Sequence, residues 1–154
     1  MRIRREIVLS NFENLHDLYA GDITPDNAWE ILKSDKKAQL VDVRTVPEWA
    51  FVGYPDIASL KKKLVRICWR IYPQMLPNQE FERQLEREVS DKDAPLLFLC
   101  RSGGRSLDAA IAMTAKGYSK CYNIAGGFEG DLDEGNHRGT KNCWKSANLP
   151  WEQN

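Results

Sequence analysis

At 154 residues, 42% of them hydrophobic, the chain is of a size to fold as one compact domain with its own core. Its 22 basic and 22 acidic side chains cancel, which leaves no global field to draw nucleic acid or an anionic membrane, so any electrostatic function has to be local. Glycine and proline are scattered and no repeat is visible, so the expectation is a single globular domain over residues 1–154, with its core from about 24 to 151.

The N-terminal stretch begins basic, but its apolar run is only Ile7-Val8-Leu9, short of the roughly 7 to 15 apolar residues of a secretory segment. Glu6, Glu13 and Asp17 argue against a transit peptide. No run approaches the ~20 apolar residues of a membrane span. A reducing cytoplasm is therefore expected, with Cys68, Cys100, Cys121 and Cys143 as thiols rather than disulfides. These four lack paired metal-ligand spacing and have only His16 and His137 to assist them, so a metal site is not expected.

Thr24-Pro25 ahead of DNAWEILKS predicts a helix start, a hydroxyl cap followed by proline at the first helical position, with Ala28, Ile31 and Leu32 as its apolar face. The run from Ala38 to Val43 reads as a short buried strand. From Glu48 to Ser59 the breakers Gly53, Pro55 and Asp56 predict irregular chain. Leu60 to Tyr72 reads as amphipathic; its Lys61, Lys62, Lys63, Arg66 and Arg70 fit a solvated helix face, with a docking face as the sharper alternative. Asn78 to Val89 predicts a surface helix that buries Phe81, Leu85 and Val89.

Pro95 to Cys100 is an unbroken apolar run, the pattern of a central parallel strand covered on both faces. Arg101-Ser102-Gly103-Gly104-Arg105 follows, then a predicted helix from Ser106 to about Lys116. Leu107, Ala110, Ile111 and Ala115 form its expected face and Gly117 its C-terminal cap. Cys121 to Ile124 reads as another strand before Gly126-Gly127. Strand, helix, strand at this spacing is a βαβ unit, so the chain is expected to be α/β with a parallel sheet.

The loop after Cys100 is the chemically informative segment. Its glycines permit positive φ, so that successive N–H groups converge on the sulfur. The helix behind adds its positive N-terminal end, and Arg101 and Arg105 stand near the rim. Such surroundings favour a thiolate, with no need of a histidine base. The competing reading makes Cys100 only the last buried residue of a strand, but that leaves two glycines and two arginines before a helix unexplained. Cys68 and Cys121 read as apolar filler; for Cys143, packing or exposure are the plain readings and a resolving thiol the sharper one.

These residues resemble the rhodanese superfamily. The matching pieces are Leu40-Val41-Asp42-Val43-Arg44 with Glu48-Trp49 and Gly53, then Leu97 through Ser106, then Asn123-Ile124-Ala125-Gly126-Gly127, and a closing Trp144 with Leu149-Pro150. The resemblance implies a three-layer fold, a central parallel sheet flanked by helices, and a sulfurtransferase. Cys100 would take the outer sulfur of thiosulfate or a related donor, hold it as a persulfide and yield it to cyanide or a thiol. Arg101, Ser102, Gly103, Gly104, Arg105 and Ser106 would bind the anionic sulfur. Asp42, Arg44 and Glu48 would be structural, the carboxylates tying Arg44 to the loop. A protein acceptor of the persulfide is a further implied partner; nucleic acid and membrane are not.

Two departures stand out. Many members have Gly-His-Ile-Pro where this chain has Gly53-Tyr54-Pro55-Asp56-Ile57, ahead of a long stretch to Asp93 that carries Trp69, Tyr72, Met75 and Asn78. Phe128 to Asn142, with His137 and Arg138, looks inserted, either an inert surface loop or a lid. Two rival functions follow from the same residues. Cys100 and Arg105 have a Cys-x4-Arg spacing akin to Cys-x5-Arg phosphatases and arsenate reductases, but the shorter loop favours sulfur over phosphate. A non-enzymatic binding module is the other rival, and the retained cysteine argues against it.

Overall fold

The computed structural model describes residues 18–154, so the N-terminal readings at Glu6, Ile7-Leu9, Glu13, His16 and Asp17 lie outside the described residues. Five strands form one all-parallel sheet in the order β1-β8-β7-β2-β4: Gly21–Ile23, Cys121–Ile124, Leu96–Leu99, Gln39–Asp42 and Val65–Arg66. With helices on both faces this is the expected three-layer α/β arrangement. Among the described residues no helix is long and apolar enough to cross a membrane.

Helix α1, Pro25–Ser34, begins where the Thr24 hydroxyl accepts the Asn27 N–H at 3.1 Å, and it seals Ala28 and Leu32 against one face of the sheet. Helix α2, Phe81–Glu88, and helix α3, Gly104–Ala115, cover the other face. Strand β7 is buried at every residue because its side chains alternate between these layers. Leu97 and Leu99 meet Ala28, Leu32 and Trp144, while Leu96 and Phe98 meet Phe81, Ala109 and Met113.

Three local readings need correction. The stretch from Leu60 to Tyr72 is not helical: after a turn at Ala58–Leu60 it forms β4 and then β5, Arg70–Ile71, which pairs with β6, Leu76–Pro77. Val65 and Ile67 alternate inward as strand residues do, and Lys62 ties down the turn between α1 and β2 by donating to the carbonyls of Asp35, Lys36 and Ala38. Helix α2 starts at Phe81 rather than Asn78, since Asn78 accepts the Glu80 N–H and donates to the Cys68 carbonyl instead. Helix α3 buries Ser106, Ala109, Ala110 and Met113; Leu107 and Ile111 are only half-buried and Ala115 is exposed. The helix is rotated because Ser106 turns inward to polar partners below it.

Strand β1 escaped the sequence reading, being three residues at the sheet edge. The proposed insert does not start as surface chain either. Phe128 is fully buried beside Trp144, whose indole N–H donates to the Pro150 carbonyl at 2.8 Å. The C-terminal β9, Trp151–Glu152, pairs with β3, Tyr54–Pro55.

Candidate active site

Because all five strands run the same way, the segments that follow β2, β4, β7 and β8 leave from one edge of the sheet. Cys100 sits there, one residue beyond β7 and 1% exposed. The chain turns over it through Gly103, whose φ of 113° suits glycine, and enters α3. Gly104 has no positive φ and is already helical, so only one of the two glycines supplies the turn.

Two groups close on the sulfur. The Gly103 N–H donates to Sγ at 3.1 Å, and Ser106 Oγ lies 3.1 Å away. The Ser106 hydroxyl has one proton, and Asn123 Oδ1 competes for it at 2.6 Å. Asn123 Nδ2 is committed to Asp22 Oδ1 at 3.1 Å, an alignment set by the register that places Asp22 of β1 beside Asn123 of β8. Tyr19 adds a second donor to that carboxylate at 2.9 Å. Asn123 and Asp22 were not among the candidates. The only sequence signal was a polar residue inside an apolar strand, and a buried polar group needs a partner.

The double glycine anchors the loop from behind. Gly127 has φ +62°, and a Cβ there would collide with the Cys100 carbonyl. The backbone instead passes close enough for Phe128 N–H to donate to the Cys100 carbonyl at 2.8 Å and Glu129 N–H to the Arg101 carbonyl at 2.9 Å. The cysteine loop is thus held from behind by backbone bonds, independent of the loop's own side chains.

The charged residues divide into two pairs rather than one cluster. Arg44 is bidentate to Asp42, Nε to Oδ1 at 2.9 Å and Nη2 to Oδ2 at 2.7 Å, with both side chains sealed from solvent. Its Nη2 also holds the Gly53 carbonyl at 2.8 Å, and its guanidinium lies 4.3 Å over the Phe128 ring. Glu48 does not join Arg44. It accepts Arg105 Nη1 at 2.7 Å and Nη2 at 3.0 Å, and accepts the Thr45 hydroxyl at 2.9 Å. Burial would raise the Glu48 carboxyl, but the Arg105 bonds and charge outweigh it and hold it below the usual carboxylate range. Arg105 therefore faces a carboxylate, leaving Arg101 as the exposed cation of the loop.

A cup of about 160 Å³ opens above the sulfur, lined by Cys100, Arg101, Ser102, Gly104 and Arg105. Outside it lies a shallower cavity of about 630 Å³ that shares Arg101 and Arg105 and is walled by Tyr72, Pro73, Met75, Glu129 and Arg138. Both segments singled out as departures, the long stretch after Ile57 and the chain after Phe128, thus meet at the mouth. His137 is exposed and lines neither cavity. Cys143 is buried, with Ser146 Oγ at 3.4 Å from its sulfur. Among the described residues no group of three metal-ligating side chains converges.

The chain matches the family described as the STR4 middle domain over residues 20–154. It is 41% identical over 133 residues to uncharacterized protein RC0915 of Rickettsia conorii, covering 85% of this chain and 96% of that one. Thiosulfate sulfurtransferase GlpE of Haemophilus influenzae is 31% identical over 109 residues, 71% of this chain and 85% of GlpE. The crystal structure of Rv0390 from M. tuberculosis superposes with a TM-score of 0.81 at 45% identity, over 88% of this chain and 99% of that one. With the parallel sheet and the cysteine loop in place, these likenesses make the chain a member of the STR4 middle-domain family, within the rhodanese-like superfamily that includes sulfurtransferases.

Proposed function

We propose that this protein is a sulfurtransferase that carries sulfane sulfur as a persulfide on Cys100. The observation that supports it is the sulfur's setting. Sγ lies at the floor of a cup of about 160 Å³, with the Gly103 N–H and the Ser106 hydroxyl each 3.1 Å away. The Gly103 N–H is a donor fixed in advance, which stabilises negative charge on the sulfur without reorganisation, and the Ser106 hydroxyl adds a second when its proton turns from Asn123 to the sulfur. In the first half-reaction the Cys100 thiolate attacks the outer sulfur of thiosulfate. The S–S bond of the donor breaks, sulfite leaves with the bonding pair, and Cys100 keeps one sulfur. Arg101 draws the dianion to the rim, and the loop from Ser102 to Ser106 holds the outer sulfur. In the second half-reaction cyanide or a thiolate removes that sulfur and Cys100 leaves as a thiolate.

The Cys-dependent phosphatase reading is less well supported. Such chemistry needs an arginine turned onto the oxyanion, and here Arg105 is spent on both oxygens of Glu48.

Intact-mass measurement of the reduced protein after thiosulfate tests the proposal. A gain of one sulfur, discharged by cyanide as thiocyanate and absent in Cys100→Ala, is the expected result. No gain with thiosulfate, mercaptopyruvate or a persulfide-donating protein would overturn it.

A further inference from the structure

Among the described residues, the buried polar side chains are Asp42, Arg44, Thr45, Ser106 and Asn123. Asp42 and Arg44 satisfy each other, and Thr45 donates to Glu48. Ser106 and Asn123 remain, and they meet beneath the Cys100 sulfur. Asn123 is 4% exposed in the middle of the sheet. Strand β8 is already tied by backbone pairing to β1 on one side and β7 on the other, so it needs no amide to hold it there. An apolar side chain would fill the position without the cost of desolvating a polar group. The amide is therefore to be explained by what it does to Ser106.

The amide is oriented from outside the site. Asp22 is exposed and lines neither the cup nor the outer cavity, so it is out of reach of a substrate held in either. Its Oδ1 accepts from Asn123 Nδ2 at 3.1 Å and from the Tyr19 hydroxyl at 2.9 Å. Burial, with the Asp22 bond, pushes the Tyr19 phenol up to about 12, so it remains a donor to that carboxylate. An ionised carboxylate only accepts, so Asn123 turns its NH2 group to Asp22 and its oxygen to Ser106. The single Ser106 proton is drawn to Asn123 Oδ1 by the 2.6 Å contact. What Ser106 then shows to Sγ, 3.1 Å away, is a lone pair. A lone pair accepts the S–H of a thiol and repels a thiolate.

We infer that Asp22 and Asn123 are positioning residues that hold the Ser106 proton away from Cys100 and so restrain the resting nucleophile. The inference rests on the reading of Cys100 as the reacting sulfur. While Cys100 is a thiol, one chain of donors satisfies every group: S–H to Ser106, O–H to Asn123, N–H to Asp22. When the thiol proton leaves for solvent, the Ser106 hydroxyl has to turn to the sulfur and give up its 2.6 Å bond. Asn123 cannot follow, because Asp22 pins its other end, and Oδ1 is left facing a lone pair. That loss opposes the thiolate. A persulfide makes Sγ neutral again, and the hydroxyl returns to Asn123. The Gly103 N–H is thus a permanent donor to the sulfur and Ser106 a conditional one, released only against the hold of a surface carboxylate.

The test uses the full chain and three variants, Asp22→Asn, Ser106→Ala and the two combined. Alkylation of Cys100 by iodoacetamide at neutral pH is timed by peptide mass, with the buried Cys121 and Cys143 read in the same digest as controls for loosening of the fold. Asparagine at the exposed position 22 accepts and donates equally well, so the Asn123 amide is free to turn over and Ser106 to serve the sulfur. Asp22→Asn is expected to quicken Cys100 alkylation about fivefold, the scale of one net hydrogen bond. It should also raise the ultraviolet thiolate absorbance that alkylation of Cys100 bleaches, and leave Cys121 and Cys143 as slow as before. With Ser106→Ala already in place, Asp22→Asn should change neither rate nor absorbance. An unchanged or slower Cys100 in Asp22→Asn would overturn the inference. So would a gain that persists without Ser106, since the carboxylate would then act through its charge alone, or a gain shared by Cys121 and Cys143. Loading with thiosulfate is followed in parallel by intact mass. If no protein loads, the persulfide reading falls, while the alkylation rates still decide the role of Asp22 and Asn123.

Discussion

Cys100, just past β7, and Cys121, at the start of the neighbouring β8, are both essentially sealed from solvent, yet the two ends of the sheet give them opposite surroundings. Cys121 opens β8 opposite Leu96, at the edge where the strands begin, and its thiol donates to the Tyr118 carbonyl over a long 3.8 Å. Burial pushes its thiol up to about 11. Cys100 lies just past the end of β7, where the chain turns into α3 and offers an N–H and a hydroxyl at 3.1 Å. A parallel sheet followed by helices collects helix N-termini and loop amides at its carboxyl edge, while the amino edge faces the helix carbonyl ends. Burial is the same for the two thiols; the direction of the surrounding dipoles is not.

The largest expected effect breaks this contrast directly. Cys100→Ala should abolish the one-sulfur mass gain. Cys121→Ala should load normally and lose only about 1–2 kcal/mol of stability in urea, the scale of a small buried truncation. A Cys121→Ala protein that folds and fails to load would erase the distinction.

The next effect compares ion pairs at the two edges. Asp42→Ala strands the fully buried Arg44 charge and should cost about 3–5 kcal/mol in urea unfolding. Lys37→Ala removes an exposed pair with Asp91 at the opposite edge, 3.4 Å apart, and should leave the urea midpoint unchanged, because solvent screens such a pair.

A smaller effect sharpens the donor argument. Ser106→Ala takes away one of the two groups near the sulfur and should slow loading by about tenfold, a hydrogen bond of roughly 1.4 kcal/mol. Stopped-flow loss of free thiosulfate or timed mass spectra would read it, and an unchanged rate would leave Gly103 as the sole effective donor.

The last prediction concerns pH. Arg105 holds the Glu48 carboxyl below its ordinary value against the opposing effect of burial, so the pair's contribution is complete above the unfolded carboxylate value of about 4.3. It is lost as pH falls through the lower folded value. Wild-type stability should therefore decline more steeply below about pH 4 than that of Glu48→Gln, as denaturant titrations at a series of pH values would show. Parallel declines would mean that the pair is too well screened to matter.

Elements whose signal is local were legible from the residues. The unbroken run ahead of Cys100, the Thr24-Pro25 helix start and the spacing of Phe81, Leu85 and Val89 each carry their geometry within a few neighbours. Strand β1 was not legible, because three edge residues show no period and are held by pairing to β8, about 100 positions away. The stretch of Leu60 to Tyr72 misled because three consecutive lysines followed by mixed apolar and basic residues fit either period, and only pairing with β2 chose strand for Val65–Arg66.

The candidate site divides the same way. Sequence alone determined that a cysteine would stand between a buried strand and a helix start, since strand, turn glycine and helix are contiguous. Tertiary structure decided which groups that sulfur meets. It turned Arg105 onto Glu48, 57 positions away, rotated α3 so that Ser106 faces inward, and set Asn123 and Asp22 beneath it. It also gathered the hairpin after β4 and the chain after β8 at one mouth. Side-chain partners across a sheet follow from strand order and register, and those are set by long-range burial that no short window of residues contains.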